Sequence, residues 1–179
     1  MRKLTHEELL ERQAKLRKSE AKIPLVVVLN NIRSLYNVGS IFRTCDGIGV
    51  KQLWLCGITG KPPHARISKT ALGAEGTVDW QYSWELIPVV KDLKQKGFQI
   101  VLLEQIEQSI SYDEFIPAGP TCLVVGNEIS GVSEELLELC DEAIEIEMIG
   151  LKNSLNVTVA FGIAAYHLRN CLKQVVPKG

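Results

Sequence analysis

This sequence of 179 residues is defined first by what it lacks. Its five cysteines, at 45, 56, 122, 140 and 171, form no C-x-x-C pair and no Cys/His spacing suited to zinc. No metal is therefore expected, and the cysteines read as free thiols of a reducing cytosol. The apolar run from Val157 to Leu168 is too short to span a bilayer, which argues against a membrane partner. The charge-dense first twenty residues carry no signal-peptide core, so a cytoplasmic address is expected. Internal repeats and low-complexity tracts are missing too, and no linker is evident after about residue 24. A helical extension over 1–24 and one domain over 25–179 are expected, long enough to bury a core without disulfides.

Charge of one sign is also missing locally. Residues 101–150 hold no Lys or Arg against 12 Asp and Glu, while residues 1–100 hold 16 against 9 and residues 151–179 hold 4 against none. The net charge of −1 hides this segregation, which fits either a basic surface that meets phosphates or merely solvated helix faces.

What is present alternates between two periods. "THEELLERQAKLRKSE" opens with a capping box, Thr5 with Glu8, and predicts a peripheral helix. "LVVVL" (25–29) is a continuous apolar run suited to a strand buried on both faces. A helix follows, with Val38, Ile41, Phe42 and Cys45 at helical spacing and a stop at Gly47 and Gly49. Then come a strand "QLWLC", a long loop through "GITGKPPHARISKTALGAEG", a helix from about Ser83 to Gly97, and strands "FQIVLL" and "TCLVVG". A short helix capped by Ser133, an alternating strand "AIEIEM" with one wet face, and a last helix over about 155–172 complete the chain. Strands alternating with helices predict an α/β fold with a mostly parallel sheet, whose ligands bind beyond the carboxyl ends of the strands.

Three strand ends carry more polar chemistry than turns require. Behind "LVVVL", Asn37 stands where a helix cap is wanted and Arg43 lies nearly two turns on. Behind "TCLVVG", the loop "GNEISGVS" (126–133) nearly has phosphate-loop spacing. Val132 occupies the required Lys position, however, and Glu128 would repel phosphate, so a neutral or cationic ligand fits better. Behind "AIEIEM", Ser154 can cap the last helix with Asn156 in its first turn, which leaves a polar excess that capping does not explain.

The stretches "NVGSIFRTCDGIGV", "LVVGNEISGVS" and "IEIEMIGLKNSLNVTVAFGIAAYHL" resemble, in order, the three motifs of the SpoU (TrmH) RNA ribose 2′-O-methyltransferases of the SPOUT superfamily. The resemblance spans roughly residues 25–170. It implies a C-terminal deep trefoil knot, which no general folding rule would suggest, a homodimer, and S-adenosylmethionine as cofactor. By the same resemblance Asn37, Arg43, Glu128, Ser154 and Asn156 are catalytic, and Gly126, Ile146 and Leu155 bind the cofactor. Transfer or ribosomal RNA would be the partner. "PPHARISKTALGAE" resembles a stretch near the substrate in one subgroup, and Lys61, Arg66 and Lys69 lie in a span, 47–74, without an acid. They are candidates for RNA phosphates or for plain loop solubility.

The resemblance would make the 153–156 cluster both helix start and site wall. Family mechanisms often make the arginine a base. A guanidinium stays protonated in proteins, however, so Arg43 is better suited to steady a developing oxyanion or a phosphate, its fork fixed by Asn37 and Glu128. The last helix reads equally as dimer interface and as buried core. A catalytically silent knotted RNA-binding protein and a generic flavodoxin-like domain are the competing readings. The intact catalytic set disfavours the first, and Glu128 disfavours the second.

Overall fold

The computed structural model describes residues 1–19, 22–126 and 132–175. The chain runs α1 (His6–Ser19), β1 (Ile23–Asn30), α2 (Leu35–Ile48), β2 (Val50–Cys56), α3 (Ala65–Ala71), a 3-10 turn (Ala74–Gly76) and β3 (Trp80–Ser83). It continues through α4 (Leu86–Gln95), β4 (Gln99–Leu103), β5 (Ile110–Ser111), β6 (Thr121–Val125), α5 (Glu134–Leu139), β7 (Glu142–Glu145) and α6 (Val157–Val175). The strands form a seven-stranded sheet in the order β3-β2-β1-β6-β4-β7-β5, and each neighbouring pair is parallel. All the carboxyl ends therefore share one rim.

The apolar runs that predicted central strands are central. Leu25 to Leu29 and Thr121 to Val125 are buried throughout, because helices cover both faces. On one face Leu25, Val27, Leu29, Leu123 and Val125 meet Phe42 of α2, Ile67 of α3 and Phe161, Ala165 and Leu168 of α6. On the other, Val26, Val28, Cys122 and Val124 meet Val90 and Leu93 of α4 and Leu136 of α5.

Three elements were not anticipated. The expected long loop contains α3, which starts after the cis Pro62-Pro63 bond and is capped by the His64 Nδ1, accepting from the Arg66 N–H at 3.2 Å. β3 is a four-residue edge strand, and β5 holds two residues. β7 is shorter than "AIEIEM", ending at Glu145.

Two caps move by a few residues. Ser34, not Asn37, caps α2: its Oγ accepts from the Asn37 N–H at 3.3 Å, which puts Asn37 inside the first turn. Asn156, not Ser154, caps α6, its Oδ1 accepting from the Thr158 N–H at 2.9 Å and from the Thr158 hydroxyl at 2.6 Å. An Asx side chain reaches the amide two residues on more readily than a serine four residues away. The Thr5–Glu8 capping box forms as expected, with the Thr5 N–H donating to Glu8 at 2.8 Å and the Glu8 N–H to the Thr5 hydroxyl at 3.2 Å. Arg2 pairs with the same carboxylate and holds it well below its usual range, at about 2. No described helix is long and apolar enough to cross a membrane.

Candidate functional site

The carboxyl ends of β4, β6 and β7 and the start of α6 enclose a cavity of about 720 Å3. That volume lies within the range of small-molecule sites. β6 contributes Val125 and Gly126, β7 leads into Glu145 and Ile146, and the turn before α6 supplies Ser154, Leu155 and Asn156. All five of the predicted site residues that follow β6 and β7 and lie among the described residues thus share one wall. Glu128 lies outside the described residues.

Local chemistry explains each placement. Val125 is the last residue of a fully buried strand, so the chain emerges from the sheet at Gly126. A side chain added there would find nothing closer than the Glu104 carboxylate and Val132 at 3.9 Å, leaving the backbone approachable. Asn156 is fixed by its two bonds to Thr158, so its backbone and side chain are held at the cavity edge. Val157 and Ala160 continue the wall on the first turn of α6.

A fourth strand end belongs to the site and was passed over in the sequence. Leu103, Glu104, Gln105 and Ile106, directly after β4, line the same cavity. The Glu104 Oε1 accepts from the Gln105 N–H at 2.9 Å, and the Glu145 Oε2 accepts from the Ser109 hydroxyl at 2.7 Å. A charged residue at the end of the apolar run "FQIVLL" was the available signal. Among the described residues the cavity wall carries two carboxylates and no Lys or Arg. Its field favours a cation and disfavours a phosphate.

Asn37 and Arg43 stand apart from this lining. Both ride on α2, which packs along α6 through Ile41, Phe42 and Cys45. Asn37 is half-buried and the Arg43 side chain is exposed. At Gly39, between them, α2 crosses α3 so closely that a β-carbon would overlap the Ile67 carbonyl oxygen and the Thr70 hydroxyl. Thr70 in turn donates to the Tyr36 carbonyl at 2.9 Å. The helix bearing the two residues is thereby seated against the basic segment.

In that segment Lys61, Arg66 and Lys69 are all exposed, and two are steered by aromatic rings. The Lys61 ammonium sits 4.0 Å from the Tyr82 ring centroid and that of Lys69 sits 6.0 Å from Tyr36. The cysteines take no part: burial pushes the Cys56 thiol up to about 12 and, aided by Asp141, that of Cys140 to about 11.

Residues 24–166 match the model of the SpoU rRNA Methylase family. A tRNA (guanosine(18)-2′-O)-methyltransferase of Aquifex aeolicus is 39% identical over 149 residues, which cover 79% of this chain and 67% of that protein. The crystal structure of the A. aeolicus TrmH/SpoU tRNA modifying enzyme superposes with a TM-score of 0.80 at 32% identity, over 93% of this chain and 85% of the other. An AdoMet-bound rRNA methyltransferase from Sinorhizobium meliloti shares the fold, with a TM-score of 0.77 at 24% identity over 90% of this chain and 61% of its own.

Proposed function

The chain belongs to the SpoU rRNA methylase family, and from that premise we propose that it transfers a methyl group from S-adenosylmethionine to a ribose 2′-hydroxyl of transfer or ribosomal RNA. The observation that carries this reading is the convergence of Gly126, Ile146, Ser154, Leu155 and Asn156 on one cavity whose charges are acidic. Such a wall fits a molecule bearing a cationic sulfur, an ammonium group and a flat apolar ring. Gly126, Ile146 and Leu155 would hold it, with Leu103, Ile106 and Val125 against its ring and Glu104 and Glu145 facing its positive charge. When bound, S-adenosylmethionine supplies an activated methyl group that transfers by in-line displacement.

The residues of the chain then have three tasks. The cavity aligns the two reactants, which supplies much of the barrier reduction in a displacement of this kind. Ser154 and Asn156, at the mouth of the cavity, orient the ribose. Arg43 stabilises the oxygen that develops charge as the hydroxyl proton passes to water, or the adjacent phosphate, with Asn37 and Glu128 setting its fork.

A homodimer fits two features. Arg43 is exposed on α2 and outside the cavity lining of its own chain, so a second copy can present it to the donor site. Val159 and Tyr166 of α6 are also about half exposed, at 49% each, although the opposite face of α6 is buried in the core. A trefoil knot fits the path of α6. From β7, near one end of the sheet, the chain returns so that α6 lies against β1 and α2 at its middle, while His167 of α6 is 2.7 Å from the Phe115 carbonyl of the β5–β6 connection. A cytoplasmic site of action and a separate role for residues 1–24 complete the proposal.

The test is methyl transfer from labelled S-adenosylmethionine to bulk RNA, followed by nuclease digestion. Label retained in nuclease-resistant dinucleotides is expected. Binding of S-adenosylmethionine and RNA without transfer would instead establish the silent RNA-binding alternative.

A further inference from the structure

The rim that holds the cavity also carries, at its far end, three strand tips tied together. Beyond β1, the Asn31 Oδ1 accepts from the Ile58 N–H at 3.0 Å, and the Ile32 N–H donates to the Thr59 hydroxyl at 3.0 Å. The same buried hydroxyl lies 2.7 Å from the Cys56 carbonyl. The Gly57 N–H donates to the Ser83 carbonyl at 3.1 Å and the Tyr82 hydroxyl to the Gly57 carbonyl at 2.9 Å, which binds the tip of β3 to the tip of β2. These bonds fix the backbone before a residue that they do not explain, and the Ser83 hydroxyl, donating to the Glu85 carbonyl at 2.8 Å, fixes it after. Trp84, immediately after β3, is 68% exposed, whereas Trp80 and Trp54 are half-buried.

A tryptophan so exposed on an immobilised backbone exposes a large apolar face in water for no gain in stability. Its surroundings are suited to nucleic acid. Ile58 is 47% exposed beside the same tip, the Lys61 ammonium is parked over the Tyr82 ring two residues away, and Arg33 is exposed beyond β1. Glu85 is the acid adjacent to it. Aromatic faces interleaved with cations are the chemistry that holds unpaired bases, because every base has a π-face while cations take the phosphates between them.

We propose that Trp84 is a stacking platform for an unpaired base of the RNA, with Lys61 and Arg33 on the flanking phosphates. This rests on the RNA reading above and extends it to a particular part of the substrate. Three strand spacings separate β3 from β6, which places the platform roughly 14 Å along the rim from the cavity. The base engaged is thus one a few nucleotides from the methylated ribose, and the RNA must present that stretch single-stranded.

The probes are a fluorescein-labelled 12-mer of adenosine and an abasic 12-mer with the same phosphates, bound to the full chain. Wild type should prefer the base-bearing strand. Trp84→Ala should lose about fivefold or more of that affinity, Trp84→Phe should keep most of it, and abasic binding should move with neither. Equal affinity of Trp84→Ala and wild type for the base-bearing strand, or equal loss by the Ala and Phe variants, would overturn the proposal. So would a wild type that does not distinguish the two strands. Melting temperatures of both variants should match wild type, since the side chain is exposed. A wild type that binds the base-bearing strand through Trp84 yet transfers no methyl group would leave this inference standing and refute the catalytic one.

Discussion

Gly39 and Gly47 lie on the same helix, α2, and should respond to alanine with opposite signs. Helix propensity alone favours alanine at either site by up to about 1 kcal/mol. At Gly39 the new methyl would overlap the Ile67 carbonyl oxygen of α3, a backbone atom that cannot rotate aside, as well as the Thr70 hydroxyl. Overpacking of that kind costs about 1 to 3 kcal/mol, and the rigidity of the obstacle argues for the upper end. The net for Gly39→Ala is then a loss of about 2 kcal/mol, or about 4 to 8 °C in Tm for a chain of this size. At Gly47 the methyl would meet only the Tyr166 hydroxyl at 3.4 Å, ordinary contact with the end of a side chain. Gly47→Ala should be neutral or raise Tm by up to about 4 °C. Urea unfolding of both variants, with equal m-values, would measure the difference. A Gly39→Ala protein as stable as Gly47→Ala would refute the claim that α2 and α3 touch through their backbones there. Because Asn37 and Arg43 flank Gly39, its alanine variant should also lose methyl transfer out of proportion to stability.

Four further outcomes are expected. Arg43→Lys should lower kcat by about 100-fold with cofactor affinity kept, since a point charge does not reproduce a fork; near wild-type turnover would exclude the role. Asn156→Ala should lower Tm by about 2 to 4 °C through the lost α6 cap, while Asn156→Ser restores Tm but not turnover if the residue also serves the reaction. Replacing Lys61, Arg66 and Lys69 together by alanine should reduce the salt slope of RNA binding by about 2, and calorimetry should show cofactor affinity unmoved. Thiols raised to about 12 at Cys56 and about 11 at Cys140 stay protonated when folded, but ionise above about 9 once unfolded. Folding stability should therefore decline as pH rises from about 9, and a disulfide reagent at pH 8 should react only slowly with Cys56 and Cys140 in the native chain.

Where burial was complete, the sequence was easy to read. β1 and β6 are continuous apolar runs because helices cover both faces, and α2 and α6 repeat at helical spacing because one stripe faces the core. β3 and β5 gave no such signal. Edge strands of four and two residues are half-buried and pair on one side, so nothing forces an apolar pattern on WQYS or IS. α3 was hidden by its brevity and by a histidine cap in place of the usual Ser, Thr, Asp or Asn. The polar residues of the site were legible as an excess at strand ends, whereas their division of labour was not. Which of Ser154 and Asn156 caps α6 depends on a side chain's reach. That Glu104 joins the cavity depends on β4 lying between β6 and β7, and strand order is not local information.

That strand order also governs how the molecule can be made. β1 is flanked in the sheet by β2 and by β6, so Val26, already opposite Gln52 of β2, gains its second neighbour only when Cys122 arrives. During synthesis at about 5 to 20 residues per second, the interval is about 5 to 20 seconds, in which LVVVL emerges with one edge bare. A ribosome-bound chain halted before residue 121 should accordingly recruit chaperones, and one halted well beyond it should not.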